Sequence, residues 1–348
     1  MIYKSLSAVS GLVRERIINS TVRKMSTGKP LVYVTRNDMP HGGVDLLKKG
    51  CDVKFWDHPS PVTRAELLKG VVGANGIYCS LTEKIDKELL DAAGPGLKVV
   101  ATISVGIDHI DVAECKKRNI RIGYTPDVLT DATAELTLAL LLSTSRRLPE
   151  AQHEARTGGW VSWAPTWMTG PGLAGATVGV VGFGRIGQAV ARRVKAFGTS
   201  KILYYNRSER PEAKETGAIK VEFNDLITKS DFVICCAALV PETKEIFNKA
   251  AFEKMKPTAI FVNTSRGGTV DQDALIEALQ NNTIRAAGLD VTTPEPLPLD
   301  SPLFKLKNCV VLPHIGSAAI EARNAMSELV ARNIIAALDG AEMPAEIN

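Results

Sequence analysis

Three side-chain types that could together assist the reduction of a carbonyl group by a hydride donor follow short apolar stretches in the second half of the sequence. Arg266 follows "AIFVNTS", Glu295 follows "AAGLDVTTP", and His314 follows "CVVLP". A guanidinium can bind a carboxylate through two hydrogen bonds, and an imidazolium can donate a proton to a carbonyl oxygen. A carboxylate beside the imidazole favours its protonated form and fixes its orientation. The set therefore predicts a centre that reduces the carbonyl of a substrate bearing a carboxylate.

The glycine-rich stretch "VVGFGRIGQAV" offers a second activity, the binding of a dinucleotide. Gly182, Gly184 and Gly187 have the spacing G-x-G-x-x-G and lie between a strand pattern and an amphipathic helix pattern. In that context Gly182 permits a tight turn, Gly184 lets the backbone approach a pyrophosphate, and Gly187 lets helix and strand pack closely.

The next predicted strand, "KILYYN", ends at Asn206, where the adenosine ribose is expected. A carboxylate at this position would accept hydrogen bonds from a 2′-hydroxyl and would repel a 2′-phosphate. Asn206 removes the repulsion, and Arg207, Ser208 and Arg210 can donate to a phosphate. The stretch predicts a preference for NADPH over NADH. The alternative is that the two arginines only lie in solvent on a polar turn.

Strand-like apolar stretches alternate with amphipathic helical stretches along most of the sequence, which predicts parallel sheets. One series runs from "PLVYVTR" to "LKVVATIS", and a second from "ATVGVVGFG" to "NCVVLPHIG". Because ligands bind at the carboxyl ends of strands in open α/β sheets, we expect the polar residues there to share one site. Between the two series, "TGGWVSWAPTWMTGPGLAG" (157–175) is rich in Gly, Pro and Trp and predicts an arm.

The charge distribution argues against a nucleic-acid partner. The formal net charge is +4, and residues 1–27 alone hold five basic residues and one acidic residue, so the remainder is neutral. A neutral body offers no electrostatic footprint for a phosphate backbone. We also expect no membrane partner, because no apolar run reaches the roughly 18 residues of a spanning helix.

The basic, Ser/Thr-rich leader of residues 1–27 is typical of organelle transit peptides. Its alternatives are a disordered tail or an upstream extension of a product that starts at Met25. The six cysteines form no CxxC pair, which favours reduced thiols in an intracellular compartment. We expect the cytosol, with mitochondria as the alternative. The five histidines form no Cys/His cluster, so no metal is expected.

Five motifs, in the order "SVGIDHID", "VGFGRIGQ", "NTSRGG", "AAGLDVTTPEPLP" and "LPHIGSA", resemble those of the D-isomer-specific 2-hydroxyacid dehydrogenase family. The resemblance runs from about Leu31 to the end. It implies an α/β fold of two Rossmann-like, doubly wound parallel-sheet domains with the active site in the cleft between them. The implied substrate-binding (catalytic) domain is 28–125 plus 317–348, and the implied NAD(P)-binding domain is 126–316.

The resemblance also implies roles for single residues. Arg266 would bind the substrate, Glu295 would be the carboxylate partner, and His314 would be the proton donor. The backbone amides of Val105 and Gly106 would hold the substrate carboxylate. Further substrate contacts would come from Asp290, Ser317 and Trp163. The implied cofactor contacts are Gly182, Gly184, Arg185, Ile186, Gly187, Asn206, Arg207, Ser208, Arg210, Ala238, Thr264, Asp290 and Gly316.

Longer stretches, such as "GGWVSWAPTW" and "LKNCVVLPHIGSA", narrow the resemblance within the family. They imply NADPH-dependent reduction of glyoxylate to glycolate and of hydroxypyruvate to D-glycerate, with NADH as a possible second cofactor. One alternative is a broader reductase of 2-oxo acids. Another is an NAD(H)-sensing corepressor scaffold, since one branch of the family binds transcription factors and keeps the Arg/Glu/His set. The neutral body weighs against that scaffold.

The resemblance further implies a homodimer, with the tryptophan-rich arm reaching toward the partner subunit. We expect Trp163 to enter the active site of the partner subunit and to limit the size of the substrate. The alternative is that Trp163 simply packs at the dimer interface.

Overall fold

The computed structural model describes residues 28–347, and its strands form two sheets in which every described pairing of strands is parallel. The leader of residues 1–27, interpreted as a disordered tail or a targeting segment, lies outside the described residues. The first sheet has five strands in the order β2-β1-β3-β4-β5. Its elements are β1 (Leu31–Val34), α1 (His41–Gly50), β2 (Asp52–Phe55), α2 (Arg64–Gly70), β3 (Gly76–Cys79), α3 (Lys87–Ala93), β4 (Val99–Thr102), α4 (Val112–Lys117) and β5 (Arg121–Gly123).

Side chains alternate between the two faces of the first sheet along each strand, and on the inner strands β3 and β4 both faces are buried. On β1, Val32 and Val34 pack in one apolar cluster and Tyr33 packs in another on the opposite face. This explains why the inner strands read as continuous apolar runs in the sequence.

The second sheet has seven strands in the order β12-β11-β10-β9-β6-β7-β8. Two helices, α5 (Thr130–Ser145) and α6 (Leu148–Thr157), precede it in the chain. Its elements are β6 (Thr177–Val181), α7 (Arg185–Ala196), β7 (Lys201–Tyr205), α8 (Ala213–Thr216), β8 (Ile219–Lys220), α9 (Phe223–Lys229), β9 (Phe232–Cys235), α10 (Lys249–Lys254), β10 (Ile260–Asn263), α11 (Gln272–Gln280), β11 (Ala286–Leu289) and β12 (Cys309–Val311).

The strand orders of the two sheets are those of doubly wound α/β folds, with the order in the second sheet reversing between β6 and β9. The predicted fold class is therefore confirmed. The last helix, α12 (Ile320–Asp339), returns to the first sheet, where Met326, Val330 and Ile334 join the cluster of Val32 and Val34. The domain boundaries at residues 125 and 317 stay predictions.

The segment between α6 and β6 projects three tryptophans. Trp160, Trp163 and Trp167 are 64%, 82% and 39% exposed, and none of the residues of α6 is buried. The predicted arm is thus an apolar surface that the rest of the described chain leaves open. Within residues 28–347, no helix is both long and apolar enough to cross a membrane.

Candidate active site

The predicted chemical residues follow three neighbouring strands of the second sheet. Arg266 follows β10, Asp290 follows β11, and His314 follows β12, and these strands lie side by side in the sheet. The carboxyl ends of parallel strands meet at one edge, so the sheet brings the three segments together.

His314 and Glu295 form a hydrogen-bonded pair. Nδ1 of His314 lies 2.8 Å from Oε2 of Glu295. Since a carboxylate only accepts, Nδ1 carries the hydrogen, and Nε2 is left for an external partner. The other carboxylate oxygen, Oε1, accepts from the backbone N–H of Thr292 at 3.0 Å. Burial raises the pKa of Glu295, but His314, the Thr292 amide and the charge of Arg266 together bring it below its usual value.

Asp290 shapes the loop that carries His314. Its two carboxylate oxygens accept from the backbone N–H groups of Ile315 and Gly316, both at 2.8 Å, and its carbonyl accepts from the N–H of His314 at 2.8 Å. His314 has a φ of 54°, in the left-handed region where non-glycine residues are uncommon. Burial raises the pKa of Asp290, although these amides and His314 act against it. Asp290 therefore holds His314 in a backbone conformation that a non-glycine residue rarely adopts.

Arg266 is fixed by contacts to two loops, one that follows a strand of the first sheet and one that follows a strand of the second. Its Nη1 donates to the carbonyl of Ser265 at 2.9 Å, and its Nε donates to Oδ1 of Asp108 at 3.0 Å. Asp108 lies in the loop after β4 of the first sheet. At Gly267, a Cβ would lie 2.0 Å from the carbonyl oxygen of Thr292, so only glycine lets the Arg266 loop pack against the Glu295 loop. The sequence interpretation missed Asp108, whose only signal was its place in "SVGIDHID".

The loop of Val105 and Gly106 faces Arg266 from the first sheet. A Cβ at Gly106 would lie 1.9 Å from Nη2 of Arg266, which shows how closely the guanidinium approaches this backbone. A series of hydrogen bonds that begins at His109 stabilises this loop. His109 Nε2 contacts the Thr102 hydroxyl at 3.1 Å, Thr102 contacts the Ser104 hydroxyl at 2.8 Å, and Ser104 donates to the Gly106 carbonyl at 2.7 Å.

The glycine turn after β6 has room for a ligand at one glycine and none at the other two. Gly182 has a φ of 88°, and a Cβ there would lie 2.5 Å from the backbone of Ala237. A Cβ at Gly187 would lie 2.2 Å from the Gly182 carbonyl oxygen, whereas nothing lies within 4 Å of a Cβ at Gly184. The free N–H groups of α7 begin there. This open backbone at a helix start fits the pyrophosphate of a dinucleotide.

The loop after β7 follows at the same edge. The side-chain amide of Asn206 accepts from Phe183 N–H at 3.2 Å and donates to the Ser208 carbonyl at 2.9 Å. Arg207 and Ser208 are exposed, and the N–H of Arg210 donates to the Tyr204 hydroxyl at 3.1 Å. The exposed donors can thus meet a ligand while Asn206 fixes the loop.

The remaining candidate residues occupy three places. Arg185 starts α7 and pairs with Asp127, Ile186 packs at the edge of two apolar clusters, and the Thr264 hydroxyl meets Thr137 at 2.8 Å. The carbonyls of Ala238 and Ser317 accept from Thr243 at 2.6 Å and Arg323 at 3.1 Å. Trp163 lies on the exposed arm, away from any apolar cluster of the described chain. Residues 28–347 contain no group of three or more His, Cys, Asp or Glu side chains that could hold a metal ion.

Comparison with known proteins gives consistent results. Residues 138–316 match the family described as D-isomer specific 2-hydroxyacid dehydrogenase, NAD binding domain. The chain is 54% identical over 318 residues to the glyoxylate reductase/hydroxypyruvate reductase of Homo sapiens, covering 91% of this chain and 97% of the relative. It is 47% identical over 325 residues to the glyoxylate reductase of Thermococcus kodakarensis, covering 92% of this chain and 96% of that one.

Two solved structures share the fold. The TT0316 protein of Thermus thermophilus has a TM-score of 0.86 and 42% identity, over 91% of this chain and 100% of its own. The NADPH-dependent glyoxylate/hydroxypyruvate reductase of Sinorhizobium meliloti, solved with NADP and malonate, has a TM-score of 0.79 and 33% identity, over 92% of this chain and 97% of its own.

Proposed function

The chain belongs to the D-isomer-specific 2-hydroxyacid dehydrogenase family, and we propose from this that it reduces glyoxylate to glycolate and hydroxypyruvate to D-glycerate with NADPH. The observation that carries the proposal is the His314–Glu295 pair at 2.8 Å, at the sheet edge that also holds Arg266. The names of the human and Thermococcus relatives supply the substrate class.

Each protein group has one task in this reaction. Nη2 of Arg266 and the backbone amides of Val105 and Gly106 bind the substrate carboxylate from two sides. Nε2 of His314 donates a proton to the carbonyl oxygen as negative charge develops there. Glu295 stabilises the imidazolium that precedes this transfer and keeps Nε2 directed at the substrate. The nicotinamide, when bound, supplies the hydride. The backbone at Gly184 leaves room for the pyrophosphate of the dinucleotide.

NADPH is the proposed cofactor because the end of β7 carries no carboxylate. Asn206 stands where a carboxylate would repel a 2′-phosphate, and Arg207 and Ser208 offer exposed donors. The Sinorhizobium relative, which its name describes as NADPH-dependent, supports the same choice.

A matrix of initial rates tests the activity. Glyoxylate, hydroxypyruvate, pyruvate and phosphohydroxypyruvate are each assayed with NADPH and with NADH. We expect the highest kcat/KM for the first two with NADPH. His314→Ala should lower kcat by at least about a hundredfold, as expected for loss of a general acid. Glu295→Gln should lower kcat less, since an amide can still hold the ring.

His58→Ala, at an exposed histidine, is the matched control and should retain wild-type rates. Near-normal turnover in His314→Ala would refute the assigned chemistry. A preference for pyruvate or phosphohydroxypyruvate would refute the substrate class and leave the chemistry intact.

We further propose a homodimer that covers the tryptophan arm, and a location in the cytosol. The exposure of Trp160 and Trp163 and the absence of buried residues in α6 support the dimer. Sedimentation of the purified protein tests it, and a monomer at micromolar concentration would contradict it. Imaging the full chain and a chain lacking residues 1–27 tests the location, with mitochondria as the competing outcome.

A further inference from the structure

The guanidinium of Arg266 is held by a carboxylate from the opposite side of the cleft. Asp108 follows β4 of the first sheet, and Arg266 follows β10 of the second. Their contact, Nε to Oδ1 at 3.0 Å, joins side chains 158 positions apart. It thus connects the loop that carries the Val105 and Gly106 amides to the guanidinium that must act with them.

The protein contacts use two of the three guanidinium nitrogens and leave the third without a hydrogen bond to the described residues. Nε donates to Asp108 and Nη1 donates to the Ser265 carbonyl, while Nη2 makes no hydrogen bond within residues 28–347. Nη2 is the atom that lies beside Gly106. The two protein contacts therefore direct the unused N–H groups toward the backbone amides that bind the same carboxylate.

The charge of Asp108 persists at neutral pH. Burial raises the pKa of Asp108, but the charge and hydrogen bond of Arg266 outweigh it, and the pKa lies below its usual value. The two side chains are 21% and 36% exposed, so water screens the pair only in part.

We propose that Asp108 is a positioning residue that sets Arg266 and the Val105–Gly106 amides in register as a preformed site for the carboxylate of the 2-oxo acid. This inference rests on the proposed function and names how its substrate is recognised. Asp108 touches no reacting atom. Its removal should therefore weaken substrate binding more than it slows the chemical step, because the guanidinium must then be ordered at the cost of binding energy.

The test compares Asp108→Ala with Asp108→Asn, whose amide oxygen can still accept from Nε. We expect Asp108→Ala to raise KM for glyoxylate at least about tenfold, the value of one charge-assisted hydrogen bond, and to change kcat by less than about threefold. Asp108→Asn should restore part of the loss. KM for NADPH should stay at the wild-type value in both variants.

The matched control is Asp91→Asn, which also removes a carboxylate paired with an arginine, here Arg118. Asp91 precedes β4 and Arg118 precedes β5, so this pair lies at the edge of the first sheet where the strands begin, opposite the edge that carries Asp108. In an Arg266→Lys background, Asp108→Ala should have almost no further effect, because the residue acts through Arg266. Unchanged KM in Asp108→Ala, or a fall in kcat alone, would overturn the proposal.

Equilibrium binding of oxamate to the NADPH-bound protein separates this proposal from the proposed function. Oxamate carries the same carboxylate and is not reduced. If the wild-type protein reduces no 2-oxo acid, the proposed function fails. A larger Kd for oxamate in Asp108→Ala than in the wild type would still support the positioning role. An equal Kd in the two proteins would refute it.

Discussion

The side-chain oxygen of Asn206 accepts a hydrogen bond from the backbone N–H of Phe183 at 3.2 Å, which ties the end of β7 to the glycine turn after β6. The side-chain nitrogen of Asn206 donates to the Ser208 carbonyl at 2.9 Å. A carboxylate could replace the first contact but not the second, since it has no hydrogen to donate. The amide is therefore the side chain that holds this loop in its present shape.

This geometry makes cofactor selection depend on two residues in different ways. Arg207→Ala should raise KM for NADPH about tenfold and leave KM for NADH almost unchanged, because the lost donor serves a 2′-phosphate only. Asn206→Asp should also lower kcat/KM for NADPH, since the carboxylate repels both the phosphate and the Ser208 carbonyl. Initial rates with both cofactors measure the effect. Arg332→Ala, at an exposed arginine of α12, is the control. Equal effects on the two cofactors would show that the loop is a polar turn that does not select the cofactor.

Gly106 is required by the position of Arg266. In Gly106→Ala the new Cβ would lie 1.9 Å from Nη2 and 2.7 Å from Cζ of Arg266, so the guanidinium must leave its place. We expect kcat/KM for glyoxylate to fall by about a hundredfold, the scale of a misplaced binding group, while NADPH binding is retained. Gly96→Ala, whose Cβ would meet nothing closer than 3.5 Å, is the control. Wild-type efficiency in Gly106→Ala would contradict the placement of the carboxylate site.

The positions of Arg266, Asp290 and His314 could be predicted from the sequence, because each follows an apolar strand and parallel strands end at one edge. The alternation of strands and helices also predicted parallel α/β sheets, whereas the two doubly wound domains were implied by the resemblance to the family. The glycine spacing likewise predicted a turn whose geometry the structure shows, with Gly182 at positive φ and Gly184 open to a ligand.

Apart from the His314–Glu295 pair, which the resemblance to the family implied, the contacts between side chains could not be predicted in this way. The Asp108–Arg266 pair depends on how two sheets approach each other, which no local pattern encodes. The sequence interpretation assigned Asp290 to ligand contacts, and the structure adds its two hydrogen bonds to the His314 loop. The internal bonding of Asn206 was likewise missed, since residue type alone does not show whether an amide faces a ligand or the backbone.

His109 makes the stability of the protein depend on pH. Burial lowers the pKa of His109 to about 4, and its Nδ1 is buried with no hydrogen-bond partner in the described chain. In the unfolded chain the imidazole titrates at its usual pKa of about 6.5. The folded state therefore binds fewer protons between these values. The part of the free energy of unfolding that depends on neutral His109 is fully present above pH 6.5. It is lost as the pH falls toward 4, by up to about 3 kcal/mol.

Urea unfolding followed by fluorescence at pH 7 and pH 4.5 checks this expectation. His109→Gln keeps a neutral polar side chain and should lose less stability than the wild type between the two pH values. His58→Gln, at an exposed histidine, should follow the wild type. Parallel profiles for the wild type and His109→Gln would show that this imidazole does not carry the effect.

Trp163 is 82% exposed on an arm that the rest of the described chain does not bury, which is consistent with the proposed cover by a second copy. If Trp163 closes the partner's substrate site, Trp163→Ala should enlarge that site and leave the fold of its own chain unchanged. We expect the ratio of kcat/KM for glyoxylate to that for larger 2-oxo acids to fall about tenfold, the scale of one methylene group. Trp160→Ala on the same arm is the control, and sedimentation verifies that each variant keeps its oligomeric state. An unchanged preference among 2-oxo acids in a dimeric Trp163→Ala would assign the side chain to interface packing alone.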